Sequence, residues 1–528
     1  MTKKTQVWLP LLISISMILG MFFGYRMRDN MPGKNFFSAD KSTPLQEVLS
    51  LISKKYVDDI DLQKISDTAV MAMLAKLDPH SVFIPSEDLS AVNEDIAGQF
   101  FGIGVEFNIQ LDTIHVLQVL PGGPSAKAGL QIGDKIIKVG DISVASKKIT
   151  NDQVRNYLRG ELGSKVIVTV LRDSQKKIFT IIRDIIPLSS LDAAYVIAKE
   201  TGYIRLNKFS QSTYREFMQS LESLQKKGIK KLILDLRGNG GGVLDEATAI
   251  ADEFLDGDKL ITYTEGKHFA KKEYRCQRVG LFETGELVVL ADEGTASASE
   301  VIIGALQDWD RATIIGRRSF GKGLVQEQYD LSDGSALRLT VARYYTPMGR
   351  SIQRPYTNGG EEYYNDINKR FLDGEVTSKD SIKNDTTKIF KTKKGRVVYG
   401  GGGITPDIFV ALDTSNYSNN LSNLIIKGTI SDFAYKYYLQ NKSTLSNYRT
   451  PADFNNNFTL SDDNWKVLNT LASRDTVNMA GLNSKEKTEL VKRIKSSIAR
   501  QIWRNEGFFE VSNASDETIK TALSTFQK

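Results

Sequence analysis

The sequence predicts a multidomain α+β protein, in which a β-rich unit precedes an α/β core and helical regions stand at both ends. At 528 residues the chain is too long for one hydrophobic core and has room for about three or four domains. Residues 98–187 contain short strand patterns separated by glycine turns, whereas residues 188–412 alternate strand, small-residue loop and helix. Residues 31–97 and 413–528 carry apolar residues at helical spacing.

Composition excludes several classes of function. The 69 basic and 63 acidic residues give a net charge of +6, with no basic cluster interleaved with aromatic residues, so we expect no nucleic-acid partner. Cys276 is the only cysteine, which excludes an internal disulfide. The three histidines, His80, His115 and His268, are scattered, and His80 is interpreted as a turn or capping residue. We therefore expect neither a metal nor a cofactor, and a Ser-His-Asp mechanism lacks convincing candidates.

The first 30 residues predict a membrane anchor or a signal. Lys3 and Lys4 precede an uncharged stretch, and residues 7–25 alone are long enough to span a bilayer as a helix. No A-x-A-like cleavage site follows, so we favour an uncleaved anchor in the inner membrane, with a cleaved signal peptide as the alternative. The bulk of the chain is then expected on the periplasmic or extracytoplasmic side of the cell envelope. Arg26 and Arg28 follow the span, so the positive-inside rule does not decide its orientation.

The β-rich unit at residues 98–187 contains a characteristic order of motifs. The segment Gly102-Ile103-Gly104-Val105 is followed by a strand pattern at residues 113–119 and by an A-x-A-G-L-x-x-G-D-x-I pattern that starts at Ala126. This order resembles a PDZ domain of the form built into bacterial processing proteases. The resemblance implies that residues 102–105 form the loop whose backbone N–H groups hold the terminal carboxylate of a peptide. It also implies protein or peptide substrates with free C-termini.

Two short motifs in the α/β core carry the predicted chemistry. Ser297 lies in the small-residue turn 294–299, between the strand pattern 287–290 and an apolar helix pattern. Lys322 lies between two glycines, after the strand pattern 312–316. A serine hydroxyl needs a base to become a nucleophile, and lysine is the natural base where no histidine is at hand. The sequence therefore predicts Ser297 as the nucleophile and Lys322 as its general base.

The predicted base must be uncharged to accept a proton, whereas the pKa of a free lysine is about 10.4. Lowering that pKa to about 7 requires about 4 to 5 kcal/mol of differential stabilisation, which burial can supply. Gln326, four residues after Lys322, can orient the amine by hydrogen bonding. Asp308, eleven residues after Ser297, is the alternative, although a nearby carboxylate would raise the lysine pKa. The choice between Gln326 and Asp308 stays open.

Backbone N–H groups are expected to form the oxyanion hole. One predicted donor is the N–H of Ala298, at the amino terminus of the helix that follows Ser297. The second is expected from Gly240 or Gly241, in the glycine loop after the buried strand 231–236, because glycines permit a close approach.

Other segments of the core suggest no nucleotide site. The dinucleotide fingerprint that begins at Gly238 fails at Val243, and the phosphate loop that begins at Gly316 has Gly323 where Ser or Thr is required. Residues 356–395 are polar and are interpreted as a surface insertion.

These motifs together are similar to those of the carboxyl-terminal processing peptidases, also called tail-specific proteases, over most of residues 44–410. Besides the PDZ pattern, the shared segments are residues 77–81, 235–239, 297–300, 320–323 and 346–352. In this family the nucleophile precedes the base by 25 residues, which selects Ser297 over Ser299 for a base at Lys322. The resemblance also implies a role for Gln326, in some members a role for Asp308, and a protease core similar to crotonase and Clp proteases.

The favoured hypothesis is a membrane-anchored serine endopeptidase that processes or degrades extracytoplasmic proteins from their C-termini. The alternative is a catalytically silent PDZ scaffold that binds free C-terminal peptides without cutting them. An acyl-CoA enzyme on a crotonase-like core is disfavoured by the inserted PDZ pattern. Residues 413–528 form an accessory helical region in this interpretation, and self-association into a homo-oligomer is kept as an open question.

Overall fold

The structure is a computed structural model that describes Trp8 and residues 13–23, 43–357, 359–385, 387–414 and 418–527. It divides into two compact units, residues 1–73 and residues 74–528, which are described separately. The first unit contains a helical segment at residues 13–23, helix α1 (Pro44–Lys55) and nearly all of helix α2 (Leu62–Leu74).

The predicted anchor at residues 7–25 is only partly described. Trp8 and residues 13–23 are helical, and the remaining positions lie outside the described residues. Within the described part of the chain, no helix combines the length and the apolar composition that crossing a membrane requires. The membrane anchor therefore remains a prediction from sequence.

The second unit begins with a short strand and a helix, and then forms the PDZ-like unit. Its elements are β1 (Val82–Ile84), α3 (Ser86–Ala97), β2 (Gln99–Gly102), β3 (Val105–Gln110), β4 (Thr113–Val119), α4 (Pro124–Ala128), β5 (Lys135–Val139), β6 (Ile142–Ser143), α5 (Asn151–Leu158), β7 (Lys165–Arg172), β8 (Gln175–Ile182) and β9 (Asp184–Pro187). Antiparallel strands pair in the order β3-β4-β5-β7-β8, with β6 beside β5. Alternate residues of β4 and β7, including Ile114, Val116 and Val168, fill its core. Strand β2 pairs with β9, so the two ends of the PDZ-like unit lie side by side.

The α/β core follows. Its elements are β10 (Leu191–Ala198), β11 (Thr201–Leu206), α6 (Thr213–Lys226), β12 (Lys231–Asp235), α7 (Leu244–Asp252), β13 (Leu260–Gly266), β14 (Phe269–Arg275), β15 (Glu286–Ala291), α8 (Ala298–Asp308), β16 (Thr313–Gly316), β17 (Leu324–Asp330), β18 (Ala336–Tyr345), α9 (Gly360–Leu372), a 3-10 turn (Lys379–Ser381), β19 (Ile389–Lys391), β20 (Val397–Tyr399) and β21 (Ile408–Phe409).

The main sheet of the core has the order β10-β11-β12-β15-β16-β21, in which β10 is antiparallel and the other strands are parallel. Strands β12 and β15 are buried almost throughout, which explains their near-continuous apolar sequences. A second, antiparallel sheet has the order β1-β18-β13-β14, with β17 also paired to β18. The loops after β12 and β15 therefore meet at the carboxyl edge of the main sheet, next to the β17–β18 hairpin.

Most described residues between 356 and 395 are exposed or half-buried, as expected for a surface insertion, but helix α9 also packs inward. Helix α9 buries Tyr363 and Arg370, and Arg370 donates hydrogen bonds to the carbonyl oxygens of Ser319 (2.8 Å) and Phe320 (3.3 Å). This helix thereby supports the loop that carries Lys322.

The C-terminal region is helical, as predicted. Its elements are α10 (Asn419–Ile426), α11 (Thr429–Gln440), α12 (Lys442–Leu445), α13 (Pro451–Asn457), α14 (Asp462–Arg474), a 3-10 turn (Met479–Gly481), α15 (Ser484–Asn513) and α16 (Glu517–Thr525). It has its own apolar core and contacts both neighbouring parts of the chain. The Tyr435 hydroxyl donates to the carbonyl oxygen of Val116 in the PDZ-like unit (3.2 Å), and Ile519 and Phe526 pack against the main sheet.

Candidate active site

Ser297 stands at the amino terminus of helix α8, at the end of the loop that follows β15. Its backbone has φ 57° and ψ −118°, a conformation that non-glycine residues rarely adopt. The loop is held to the neighbouring β12 loop, because Thr295 Oγ1 donates to Leu236 O (2.9 Å) and Ala296 N–H donates to Asn239 O (3.0 Å). Every residue of α8 is buried, so the core fixes the helix that carries the serine turn.

Lys322 lies in the loop between β16 and β17, where both flanking glycines are required by close contacts. A Cβ on Gly321, whose φ is +92°, would lie 2.9 Å from Gly403 N, and a Cβ on Gly323 would lie 3.0 Å from Gln353 N. The loop therefore lies directly against the segments that follow β18 and β20.

Glu300 links the serine turn to the lysine loop. Its carboxylate is fully buried and accepts from the backbone N–H groups of Ser297 (2.9 Å), Gly321 (2.8 Å) and Lys322 (2.8 Å), and from the hydroxyl of Ser319 (2.5 Å). Burial raises the pKa of Glu300 to about 7, although the hydrogen bonds from these donors act to lower it. Sequence reasoning missed this role, although the Ser-x-x-Glu spacing is that of a helix capping box.

Ser297 and Lys322 line the same cleft, which has a volume of about 480 Å³. The Tyr344 hydroxyl lies between the carbonyl oxygens of Ser297 (3.0 Å) and Lys322, which gives the two segments a second bridge. No hydrogen bond joins Ser297 Oγ to Lys322 Nζ among the described residues. Such bonds commonly shorten only when a substrate is bound.

The surroundings of Lys322 favour the uncharged amine. Its pKa is lowered from the ordinary value chiefly by burial and then by the charge of Arg338, while Glu300 and Asp78 oppose this. His80 lines the same cleft, and its Nε2 lies 2.8 Å from the Tyr363 hydroxyl. Burial is the main cause that lowers the pKa of His80 to about 4, so His80 is neutral at pH 7.

The two predicted orienting residues are in different places. Gln326 lines the cleft, and its Nε2 donates to Thr340 Oγ1 over 3.3 Å. Asp308 is buried at the far end of α8, about 16 Å along the helix axis from Ser297. There it pairs with Arg350 (2.6 Å) and accepts from the N–H of Met348 (2.9 Å). The structure therefore places Gln326, and not Asp308, in the cleft that Lys322 lines.

The glycine loop after β12 approaches Ser297 closely. A Cβ on Gly241, whose φ is +96°, would lie 2.8 Å from Ser297 Cβ and 2.9 Å from Ala298 N. The N–H of Gly241 donates to Asn239 Oδ1 (2.9 Å) and is therefore already engaged. Within the described residues, the N–H groups of Gly240 and Ala298 have no protein acceptor, and both residues line the cleft. Of the predicted oxyanion donors, these two remain free to bind an oxyanion.

The predicted carboxylate-binding loop, residues 102–105, joins β2 to β3. The carbonyl oxygens of Ile103 and Gly104 accept from Ser125 N–H (3.0 Å) and Leu120 N–H (2.9 Å). The N–H groups of Ile103 and Gly104 donate to no acceptor in the part of the chain that the structure describes. Strand β3 is an edge strand of its sheet, so its outer edge can pair with an extended peptide.

Comparison with known protein families gives three matches. Residues 200–359 match peptidase family S41, residues 115–172 match the PDZ domain, and residues 420–504 match a family of unknown function.

Two curated relatives share about a third of their aligned residues with this chain. A carboxy-terminal-processing protease of Bartonella bacilliformis is 34% identical over 313 residues, which are 58% of this chain and 71% of that protein. A probable CtpA-like serine protease of Staphylococcus epidermidis is 35% identical over 312 residues, which are 58% of this chain and 62% of that protein.

Two solved structures are also similar to parts of the chain. A photosystem II D1 C-terminal processing protease is 28% identical, covers 70% of this chain and 87% of its own, and has a TM-score of 0.37. The PDZ domain of a carboxy-terminal protease from Vibrio cholerae in complex with peptide is 33% identical, covers 17% of this chain and 99% of its own, and has a TM-score of 0.16.

Proposed function

Because the chain belongs to the carboxyl-terminal processing proteases of peptidase family S41, we propose that it is a serine endopeptidase with Ser297 as nucleophile and Lys322 as general base. The observation that carries this assignment is the cleft lined by both residues, with Glu300 accepting a hydrogen bond from the backbone of each. A neutral lysine beside a serine at a helix amino terminus is the arrangement that a Ser-Lys mechanism requires.

In this mechanism Lys322 Nζ takes the proton of Ser297 Oγ as the oxygen attacks the scissile carbonyl carbon. The carbonyl oxygen becomes an oxyanion, which accepts from the N–H groups of Ala298 and Gly240, each worth about 3 kcal/mol in comparable sites. The Lys322 ammonium then gives its proton to the leaving amine. Water next attacks the acyl-enzyme while Lys322 takes its proton. The bond between the acyl carbon and Ser297 Oγ then breaks, Lys322 returns the proton to Oγ, and the new carboxyl terminus is released. Gln326 orients the amine from the same wall of the cleft.

The PDZ domain would deliver the substrate. The free N–H groups of Ile103 and Gly104 suit a terminal carboxylate, and Val105 begins the edge strand along which the peptide would pair. Substrates are therefore proteins or peptides with free C-termini. The uncharged stretch at residues 7–25 supports anchoring in the inner membrane and action on extracytoplasmic proteins.

The test is cleavage of an unfolded protein by the full-length chain in detergent, with fragments read by mass spectrometry. Wild type should cut a substrate with a free C-terminus faster than the same substrate with an amidated C-terminus. Ser297→Ala and Lys322→Ala should not cut, although both fold. Lys369→Ala is a matched control, because Lys369 is a surface lysine paired with Glu362 (3.2 Å).

The silent-scaffold alternative predicts a different outcome from the same experiment. Wild type would bind the peptide with a free carboxylate, bind the amidated peptide more weakly, and release both uncut.

A further inference from the structure

Arg338 is a half-buried arginine in the wall of the proposed catalytic cleft, without a counterion among the residues that the structure describes. It lies on β18, and its Nη2 donates to the amide oxygen of Gln328 over 3.2 Å. It forms an ion pair with none of the carboxylates in the described part of the chain. Several arginines of the core pair with a carboxylate, as in Arg317 with Glu293, Arg318 with Glu375, Arg350 with Asp308 and Arg354 with Asp366. Arg311 instead donates to three carbonyl oxygens, whereas Arg338 has one amide oxygen.

The β17–β18 hairpin holds Arg338 on the face that looks into the cleft. Gln326 pairs with Thr340 and Gln328 pairs with Arg338 in the register of the two strands. Gln326 and Gln328 are two apart on β17, so their side chains point to the same face of the sheet. Arg338 is the partner of Gln328, so the side chains of Gln326 and Arg338 share that face. Both line the cleft with Lys322.

A guanidinium stays protonated at all physiological pH values, so Arg338 is a fixed positive charge. Removing such a charge partly from water without a counterion costs free energy, which favours a role for the charge over a purely structural one. A cation close to a lysine disfavours the ammonium form, and this is one of the ways in which proteins activate lysines.

We propose that Arg338 is a positioning residue that acts through Lys322: its charge, held in the same cleft, favours the uncharged amine that can take the serine proton. The inference rests on the proposed function, in which Lys322 is the general base.

The charges that face Lys322 come from three segments: Glu300 on α8, Asp78 and His80 before β1, and Arg338 on β18. Glu300 and Asp78 would favour the ammonium, but each carboxylate accepts hydrogen bonds from several donors. The pKa of Glu300 is also raised to about 7 by burial, so its full charge is not present at neutral pH. His80 is neutral there. After burial itself, Arg338 is thus the main group that lowers the pKa of Lys322.

The test is the pH dependence of kcat/KM for the full-length chain, whose acidic limb reports the base of the free enzyme. Arg338→Gln should move the midpoint of that limb up by about one pH unit, the lower end of the shift that a nearby charge produces. Arg338→Lys keeps the charge and should keep the midpoint. Arg343→Gln is the matched control on the same strand, because Arg343 is exposed and donates to the Tyr356 hydroxyl (3.2 Å).

A second variant covers the case in which Arg338→Gln folds poorly. Gln328→Glu places a carboxylate at the guanidinium with almost no change of shape, and it should move the midpoint in the same direction.

An unchanged midpoint in both Arg338→Gln and Gln328→Glu would overturn the inference. A higher KM at every pH with that unchanged midpoint would show instead that Arg338 contacts the substrate. Lys322→Ala in the same assay separates the role of Arg338 from the assignment of the base. If that variant is inactive and the midpoints do not move, only the role of Arg338 fails; if it is active, the assignment of the base fails and this inference fails with it.

Discussion

The backbone N–H groups of Ser297 and Lys322 donate to the same oxygen atom, Oε2 of Glu300, over 2.9 and 2.8 Å. The turn that carries the proposed nucleophile and the loop that carries the proposed base are therefore held together by a buried carboxylate between their backbones. The other oxygen of Glu300, Oε1, accepts from the Ser319 hydroxyl and the Gly321 N–H, both in the loop that carries Lys322. The geometry of the catalytic pair should thus depend on a residue that takes no part in the chemistry.

Glu300→Gln should weaken both activity and stability. An amide can present only one oxygen, so donors that now meet a carboxylate oxygen would face an NH₂ group. Leaving about two buried donors unsatisfied should lower the free energy of unfolding by about 2 to 5 kcal/mol. We expect kcat to fall at least about tenfold with little change in KM, measured beside urea denaturation. Glu327→Gln is the control, since Glu327 is exposed, and should stay within about 0.5 kcal/mol. Wild-type stability and kcat in Glu300→Gln would refute the linking role.

Gly241→Ala should damage the oxyanion hole. The new methyl would meet Ala296 O at 2.7 Å and Ser297 Cβ at 2.8 Å, at a φ that alanine disfavours. The resulting shift of the glycine loop should lower kcat/KM by about a hundredfold, as losing one oxyanion donor does. Gly360→Ala is the control, because a Cβ on Gly360 would meet no atom within 4 Å and the residue starts helix α9. Equal kinetics for the two variants would argue against a close-packed glycine loop.

Lys322→Arg should abolish cleavage although it keeps a positive charge and a long side chain. A guanidinium cannot give up its proton, so no base would remain, and kcat should fall by about a thousandfold or more. In wild type, activity should be lost as pH falls, because the protonated lysine cannot accept the serine proton. The midpoint should lie below the ordinary lysine pKa, since burial lowers the pKa of Lys322. A rate that is flat or falls with rising pH through this range would contradict the assignment.

Asp516→Asn, a substitution in the C-terminal region, should reduce activity at the distant candidate site. Asp516 Oδ2 lies 2.8 Å from Arg237 Nη1, and Arg237 also binds Asp235 (2.7 Å) just before the glycine loop. The asparagine keeps the cap of α16 but loses the ion pair, which should cost about 1 to 2 kcal/mol and lower kcat a few-fold. Glu517→Gln on the same helix is the control, because Glu517 pairs with exposed Lys520 (2.7 Å). Unchanged kcat in a folded Asp516→Asn variant would show that the glycine loop is independent of the C-terminal region.

Local patterns were enough to predict the strands and loops that carry the site. The apolar runs of β12 and β15 mark buried parallel strands, and the small residues that follow them mark the loops at their carboxyl ends. The helical spacing of apolar residues likewise predicted that the C-terminal region is helical. The position of Asp308 could have been argued more firmly, because eleven residues of helix place it about 16 Å from Ser297.

Contacts between distant parts of the chain could not be predicted in the same way. The ring of His80 contacts the hydroxyl of Tyr363, although the two residues are 283 positions apart in the sequence. Tyr363 lies in the segment that was interpreted as a surface insertion. The engagement of the Gly241 N–H depends on the rotamer of Asn239, which no sequence pattern specifies. Within the described residues Arg338 pairs with no carboxylate, and this depends on several distant segments, so only the assembled fold shows it.

The most direct test of the Ser297–Lys322 assignment is to treat the full-length protein with a fluorophosphonate that modifies activated serines, and to map the adduct by mass spectrometry. We expect one adduct per chain, on Ser297, formed at least about a hundredfold more slowly in Lys322→Ala because the base that activates the hydroxyl is gone. An adduct on Ser299 instead, or an equal rate in Lys322→Ala, would contradict the assignment.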